Sequence, residues 1–144
     1  MITKNTWTAR EAPIRIERIE VRELEDHCFV RTMQARSRDA YDESVNNGER
    51  TNYQNLTGRL VARCLCDEQG EFTFAPVPDT PCKLTHADWE RAFAEGAEIL
   101  GEWPTPIVER LYHWCRVING MVADAVERAA KNSEPDPESS SSTD

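Results

Sequence analysis

The sequence predicts a mainly helical α+β domain in which an N-terminal β-hairpin is followed by about four helices. Three observations carry that expectation. Apolar and charged residues alternate near the N-terminus, the apolar spacing changes to three and four residues from about residue 35 onward, and turn or cap residues stand where one pattern gives way to the next.

From Pro13, Ile14-Arg15-Ile16-Glu17 alternates apolar with charged, slips in phase at Arg18, and resumes as Ile19-Glu20-Val21-Arg22. This predicts a strand with a bulge. Cys28-Phe29-Val30-Arg31-Thr32-Met33 is again β-branched or aromatic, so the polar stretch Glu23 to His27 is the turn of a hairpin. Its alternating Arg and Glu supply opposite-charge partners across the strands and deter edge-to-edge pairing.

Ala35 through Val45 predicts the first helix of the main body, ended by Asn46-Asn47-Gly48. Tyr53 to Cys66 places Leu56, Leu60, Val61, Cys64 and Leu65 at helical spacing and is read as a helix, although Leu60 to Cys66 alone would also suit a strand. Asp67-Glu68-Gln69-Gly70 is a turn, Glu71 to Phe74 a short extended piece, and Pro76, Pro78 and Pro81 keep the next stretch irregular. Thr85 and Asp88 form a capping box, with Leu84 and Trp89 as its hydrophobic staple, opening a short helix expected to end near Gly96. Ala97 to Trp103 is then a link. Pro104-Thr105-Pro106 opens the principal helix, whose stripe is Ile107, Leu111, Trp114, Cys115, Ile118 and Val122. Asn119-Gly120 stops or bends it before a weaker helix from Met121 to Lys131.

The domain plan follows. Residues 1–12 are polar and expected to be flexible, residues 13–132 form one domain, and residues 133–144 read as a disordered acidic tail rich in Ser and Pro. A chain of 144 residues holds one core, which argues against separate cofactor and substrate domains. Its net charge is −9, of which the tail carries −4, and this disfavours nucleic acid and anionic membrane as partners. No apolar run is long enough to span a bilayer and the first ten residues lack the apolar stretch of a signal peptide, so a cytoplasmic location is expected. Five cysteines at irregular spacing suit reduced thiols better than a disulfide framework.

Catalytic chemistry has little to stand on. Cys64, Cys66, Cys82 and His86 could supply four zinc ligands, but residues two apart on a helix diverge, and buried cysteine is ordinary core material. His113 and Cys115 diverge for the same reason, which leaves Cys82 with His86 as the pair a small thiol enzyme would use. There is no Gly-rich phosphate loop and no His-Glu-x-x-His motif. A regulator of a mobile element would need a basic recognition helix, and the last third of the chain offers only Arg110, Arg116, Arg128 and Lys131. No catalytic residue, metal or cofactor is therefore expected. Large apolar residues near helix ends are in surplus: Trp89, Phe93, Trp103, Tyr112 and Trp114. They suit a core, or an apolar groove for another protein's helix.

Three stretches carry a family resemblance. Cys28 to Tyr41 contains a Val-Arg pair followed by Arg-Asp-Ala-aromatic. Arg59 to Gly70 is a Leu-Val-Ala helix closed by an Asp-Glu-x-Gly turn. Leu100-Gly101-Glu102-Trp103-Pro104 leads through Val108-Glu109-Arg110-Leu111 to Ile118-Asn119-Gly120-Met121. In order and spacing, over about residues 14–121, these resemble the tail assembly chaperones of long-tailed bacteriophages and prophages. The chain departs from that pattern at Leu24-Glu25-Asp26-His27, where Pro, Trp and Gly are expected, and in the Pro-rich stretch 75–81.

The resemblance implies a non-enzymatic assembly factor in the host cytoplasm that binds the tape measure protein, keeps it soluble, helps recruit the major tail protein and leaves before the virion is complete. It also implies self-association and, in such families, a longer frameshifted form of which this chain would be the short one. A tape measure is a long helical chain whose apolar stripes aggregate when bare, which many copies of a small acidic partner would prevent. On the apolar stripe and its neighbouring corner, Trp103, Leu111, Trp114 and Ile118 are the expected partner contacts.

Overall fold

The structure, a computed structural model, describes residues 1–9, 11–48, 50–77 and 83–122. An α-helix α1 (Lys4–Ala9) precedes the hairpin of β1 (Ile16–Val21) and β2 (Asp26–Arg31), which are joined through a 3-10 turn at Arg22–Leu24. Helix α2 (Ala35–Val45) leads into a two-residue hairpin of β3 (Asn46–Asn47) and β4 (Arg50–Thr51). Then come α3 (Leu56–Cys64), β5 (Leu65–Cys66), α4 (His86–Gly101) and α5 (Thr105–Ile118). Among the described residues the fold is mainly helical α+β, with an N-terminal hairpin followed by four helices.

The main sheet is antiparallel in the order β1-β2-β5. Pairing of β1 with β2 runs unbroken from Ile16 opposite Arg31 to Val21 opposite Asp26, so the phase slip at Arg18 is not a bulge. The sheet instead has two apolar faces, and the apolar residues of β1 change face at the slip. Ile19, Val21 and Val30 face the helices and are buried. Ile14 and Ile16 lie on the other side, against the turn at Gly70. There Arg31 donates to the Gly70 carbonyl at 2.7 Å and stacks its guanidinium over Phe72.

Helix α3 is the centre of the core, with Leu60, Val61 and Cys64 fully buried. A helix apolar on most sides must be packed on most sides, and α3 packs against α2, α4, α5 and β2. It stops at Cys64, two residues earlier than the spacing predicts, because Leu65 and Cys66 turn extended and complete the sheet beside Val30 and Phe29. Both sequence readings of that stretch thus hold for part of it.

The capping box at Thr85 and Asp88 is present: the Asp88 amide donates to the Thr85 hydroxyl at 3.3 Å and the Thr85 amide to the Asp88 carboxylate at 2.8 Å. The Thr85 amide and the Thr85 hydroxyl, both donating to the carboxylate, hold the Asp88 carboxyl below its ordinary range. The helix they open does not end at Gly96. It continues to Gly101, because Gly96 is the point where the ring of Phe74 lies against the helix backbone, and the residues expected as a link, Ala97 to Leu100, are helical.

Helix α5 carries Pro106 in its first turn and ends as predicted, with Gly120 at φ 66° and the Met121 amide donating back to the Arg116 carbonyl at 2.8 Å. Asn119 does more than stop the helix. Its Oδ1 accepts from the Met33 amide at 2.8 Å and its Nδ2 donates to the Cys115 carbonyl at 2.8 Å, tying the exit of β2 to the end of α5. Met121 and Val122 are not helical, so Val122 does not extend the α5 stripe. The rest of the expected helix to Lys131, the acidic tail, Pro78, Pro81 and Cys82 lie outside the described residues. Within residues 1–12, read as a loose polar stretch, stands α1, none of whose residues is buried.

Candidate partner-binding surface

The hairpin tip and the α4–α5 corner meet in an apolar groove of about 180 Å³. Its walls are Val21, Leu24, Cys28, Leu100, Trp103 and Ile107, its floor includes Val108 and Leu111, and Asp26 and His27 stand at its edge. Local backbone geometry raises the rim. Glu25 adopts a left-handed conformation at φ 51° to close the 3-10 turn, which carries Leu24 outward to 51% exposure. At the opposite rim the Glu102 and Trp103 amides bond back to the Ile99 and Leu100 carbonyls, and Trp103 is left 42% exposed.

One ion pair fixes the groove. Arg110 of α5 grips the Glu23 carboxylate with its two terminal guanidinium nitrogens, at 2.6 and 2.8 Å, and so ties the hairpin tip to the helix. The Arg110 contact holds the Glu23 carboxyl well below its usual range, at about 2.

The four residues expected to meet a partner separate into two kinds. Trp103 lines the groove and is exposed. Leu111 and Ile118, at 5% and 7% exposure, are core residues, because the three-and-four spacing that marks the stripe also points it at α3 and the sheet. Trp114 sits off that stripe, 37% exposed and edge-on to His113, and does not line the groove. The buried stripe also includes Val108, which the sequence reading left out. Leu24 was missed as well. Its signal was a single large apolar residue in an otherwise polar turn, which periodicity cannot register.

The remaining aromatic surplus is packing. Phe72, Trp89 and Phe93 form a cluster with ring centroids 5.6 to 5.9 Å apart. It borders a more polar cavity of about 250 Å³ lined by Arg36, Ser37, His86 and Glu90. Beside this cavity the buried Arg63 pairs with Glu90 at 2.8 Å and donates to the Ser37 hydroxyl at 3.0 Å.

Among the described residues, the cysteines considered from sequence are dispersed or buried. Helix α3 does end between Cys64 and Cys66, but Cys64 faces Asn119 in the helical core while Cys66 pairs with Phe29 and Phe72. His86 is the first residue of α4. Among the described residues no group of three or more His, Cys, Asp or Glu is placed to hold a metal ion. Burial pushes the Cys28 and Cys66 thiols up to about 11 and Cys115 well above the ordinary thiol value, which keeps all three protonated at neutral pH.

No family model, curated protein or solved structure matches the chain. The functional reading therefore rests on this surface and on the motif resemblance. No helix of the described residues is long and apolar enough to cross a membrane.

Proposed function

We propose that this chain is a tail assembly chaperone of a long-tailed bacteriophage or prophage. It acts in the host bacterial cytoplasm, binds the tape measure protein, keeps it from aggregating and promotes tail-tube assembly with the major tail protein, without remaining in the mature virion. The observation that carries this reading is the apolar groove with Leu24 and Trp103 standing exposed at its rim. A groove of this kind takes the apolar side chains of an amphipathic helix, and aromatic rims are favoured anchors for such contacts.

The resemblance of residues 28–41, 59–70 and 100–121 to the chaperone family supplies the identity of the helical partner. The chemistry is compatible with it. An assembly factor needs surface rather than a nucleophile, and the acidic composition favours solubility of the client-free chain.

The test is co-expression with the tape measure protein of the same genome. The chain should raise the soluble fraction of that protein and co-purify with it, and the genomic neighbourhood should place a very long helical reading frame downstream. A tape measure protein whose solubility is indifferent to the chain would overturn the reading.

A further inference from the structure

We propose that the groove beside Trp103 also receives the N-terminal arm of a second copy of this chain, so that copies associate arm into groove. The inference goes beyond the proposed function and needs no tape measure protein. It begins with a residue that is out of place: Trp7 of α1 is 76% exposed, and Met1 and Ile2 before it are exposed too. Large aromatics ordinarily bury most of their surface, so an arm that presents one to water has an unfilled apolar face. Lys4 and Trp7 are three residues apart on α1 and share one side of it, an apolar anchor with a cation beside it. Lys4 and Arg10 both precede Glu11, the first acidic residue of the sequence.

The groove is the complement of that arm. Its lining is apolar, and Asp26 stands at its edge. In the segments that form its walls, Glu25, Glu98, Glu102 and Glu109 make no salt bridge among the described residues, against one such cation, Arg22, since Arg110 is already held by Glu23, and the balance is acidic. A cationic segment carrying Trp is attracted there and an acidic one repelled.

The chain's own arm does not fill it: no described residue of the arm lines the groove. The arm enters β1 at Ile16, whereas the groove lies at Val21, the far end of a six-residue strand that spans roughly 17–20 Å. In the single chain both surfaces stand uncovered. A second copy covers them together, each molecule able to give an arm and accept one.

Sedimentation of the full chain over a wide concentration range, paired with fluorine NMR of fluorotryptophan-labelled protein, tests this. The expected result is concentration-dependent association in which the Trp7 resonance shifts as the assembly forms. Trp7→Ala should weaken association about tenfold or more while leaving the fold intact, since α1 buries nothing. Lys4→Glu should weaken it as well, and Asp26→Lys on the partner surface should restore part of that loss. A chain that stays monomeric throughout, an association indifferent to Trp7→Ala, or a Trp7 resonance reporting burial independent of concentration would each overturn the proposal. The last of these would place the arm in its own groove.

Discussion

Phe74 lies with its ring against the backbone of Gly96, in the space a side chain at that position would need. The contact lets the segment after β5 close over α4 beside the cluster of Phe72, Trp89 and Phe93. Gly96→Ala sets two effects against each other. Helix propensity favours alanine by about 1 kcal/mol, while forcing a methyl group into a packed contact costs about 1–3 kcal/mol. The ring cannot yield without disturbing its neighbours, so the variant should unfold at lower denaturant concentration than the wild type. Phe74→Leu in the same background should recover part of the loss, and equilibrium urea unfolding of the three variants reads both effects.

The same position explains one limit of the sequence reading. Glycine inside a helical pattern signals an end or a close approach, and only the position of Phe74, more than twenty residues away in the chain, decides between them. Features set by local chemistry were legible: the span of α2, the capping box at Thr85, the proline-led start of α5 and its stop at Asn119-Gly120. Features set by what covers a surface were not. The slip at Arg18 looks like a bulge until the turn at Gly70 is seen to cover the second face of the sheet. The groove was half legible, because Trp103 announces itself as a large residue at a helix corner, whereas Leu24 becomes part of a surface only when Glu23 meets Arg110.

Arg63 depends on Glu90. Its guanidinium is buried, pairs with Glu90 and lies over the Phe93 ring, so removing the carboxylate leaves a cation in a mostly dry site. Glu90 itself is partly exposed, and water can reach the gap. Glu90→Ala should therefore destabilise by about 2–3 kcal/mol, short of the about 3–5 kcal/mol that breaking a fully buried pair costs. Adding Arg63→Met should return part of that stability, as a double-mutant cycle by chemical denaturation would record.

The Glu23–Arg110 pair makes a prediction about acid. The folded state holds the Glu23 carboxyl at about 2, against an ordinary value of 4.5, through its hydrogen bond to Arg110. Between those values the unfolded chain binds the proton and the folded chain does not, so stability rises with pH across the window. The contribution is complete above about pH 4.5 and is lost as pH falls towards 2. In Arg110→Met the acid limb of the stability curve should be shallower in that window, while the difference from wild type should be constant above pH 5. Thermal unfolding at a series of pH values measures it. Because the pair joins the hairpin tip to α5, the same substitution should also loosen the groove and weaken partner capture.

Leu24 and Leu111 separate surface from core within one groove. Leu111 is nearly inaccessible and packs in the cluster with Ile107, Cys115 and Ile118, so Leu111→Ala should cost about 2–5 kcal/mol in stability through the cavity it leaves. Leu24 is half exposed on a tight turn, and Leu24→Ala should change stability by no more than about 0.5 kcal/mol. The order reverses for binding. Leu24→Ala and Trp103→Ala remove rim contacts a partner helix would use, so each should lower capture of the tape measure protein at equal folded concentration. Leu111→Ala should lower capture only as far as it lowers the folded fraction. Affinity measured beside denaturant stability for all three variants distinguishes a docking groove from a surface that is merely apolar. Stability losses without the predicted binding losses at Leu24 and Trp103 would take the partner away from this site.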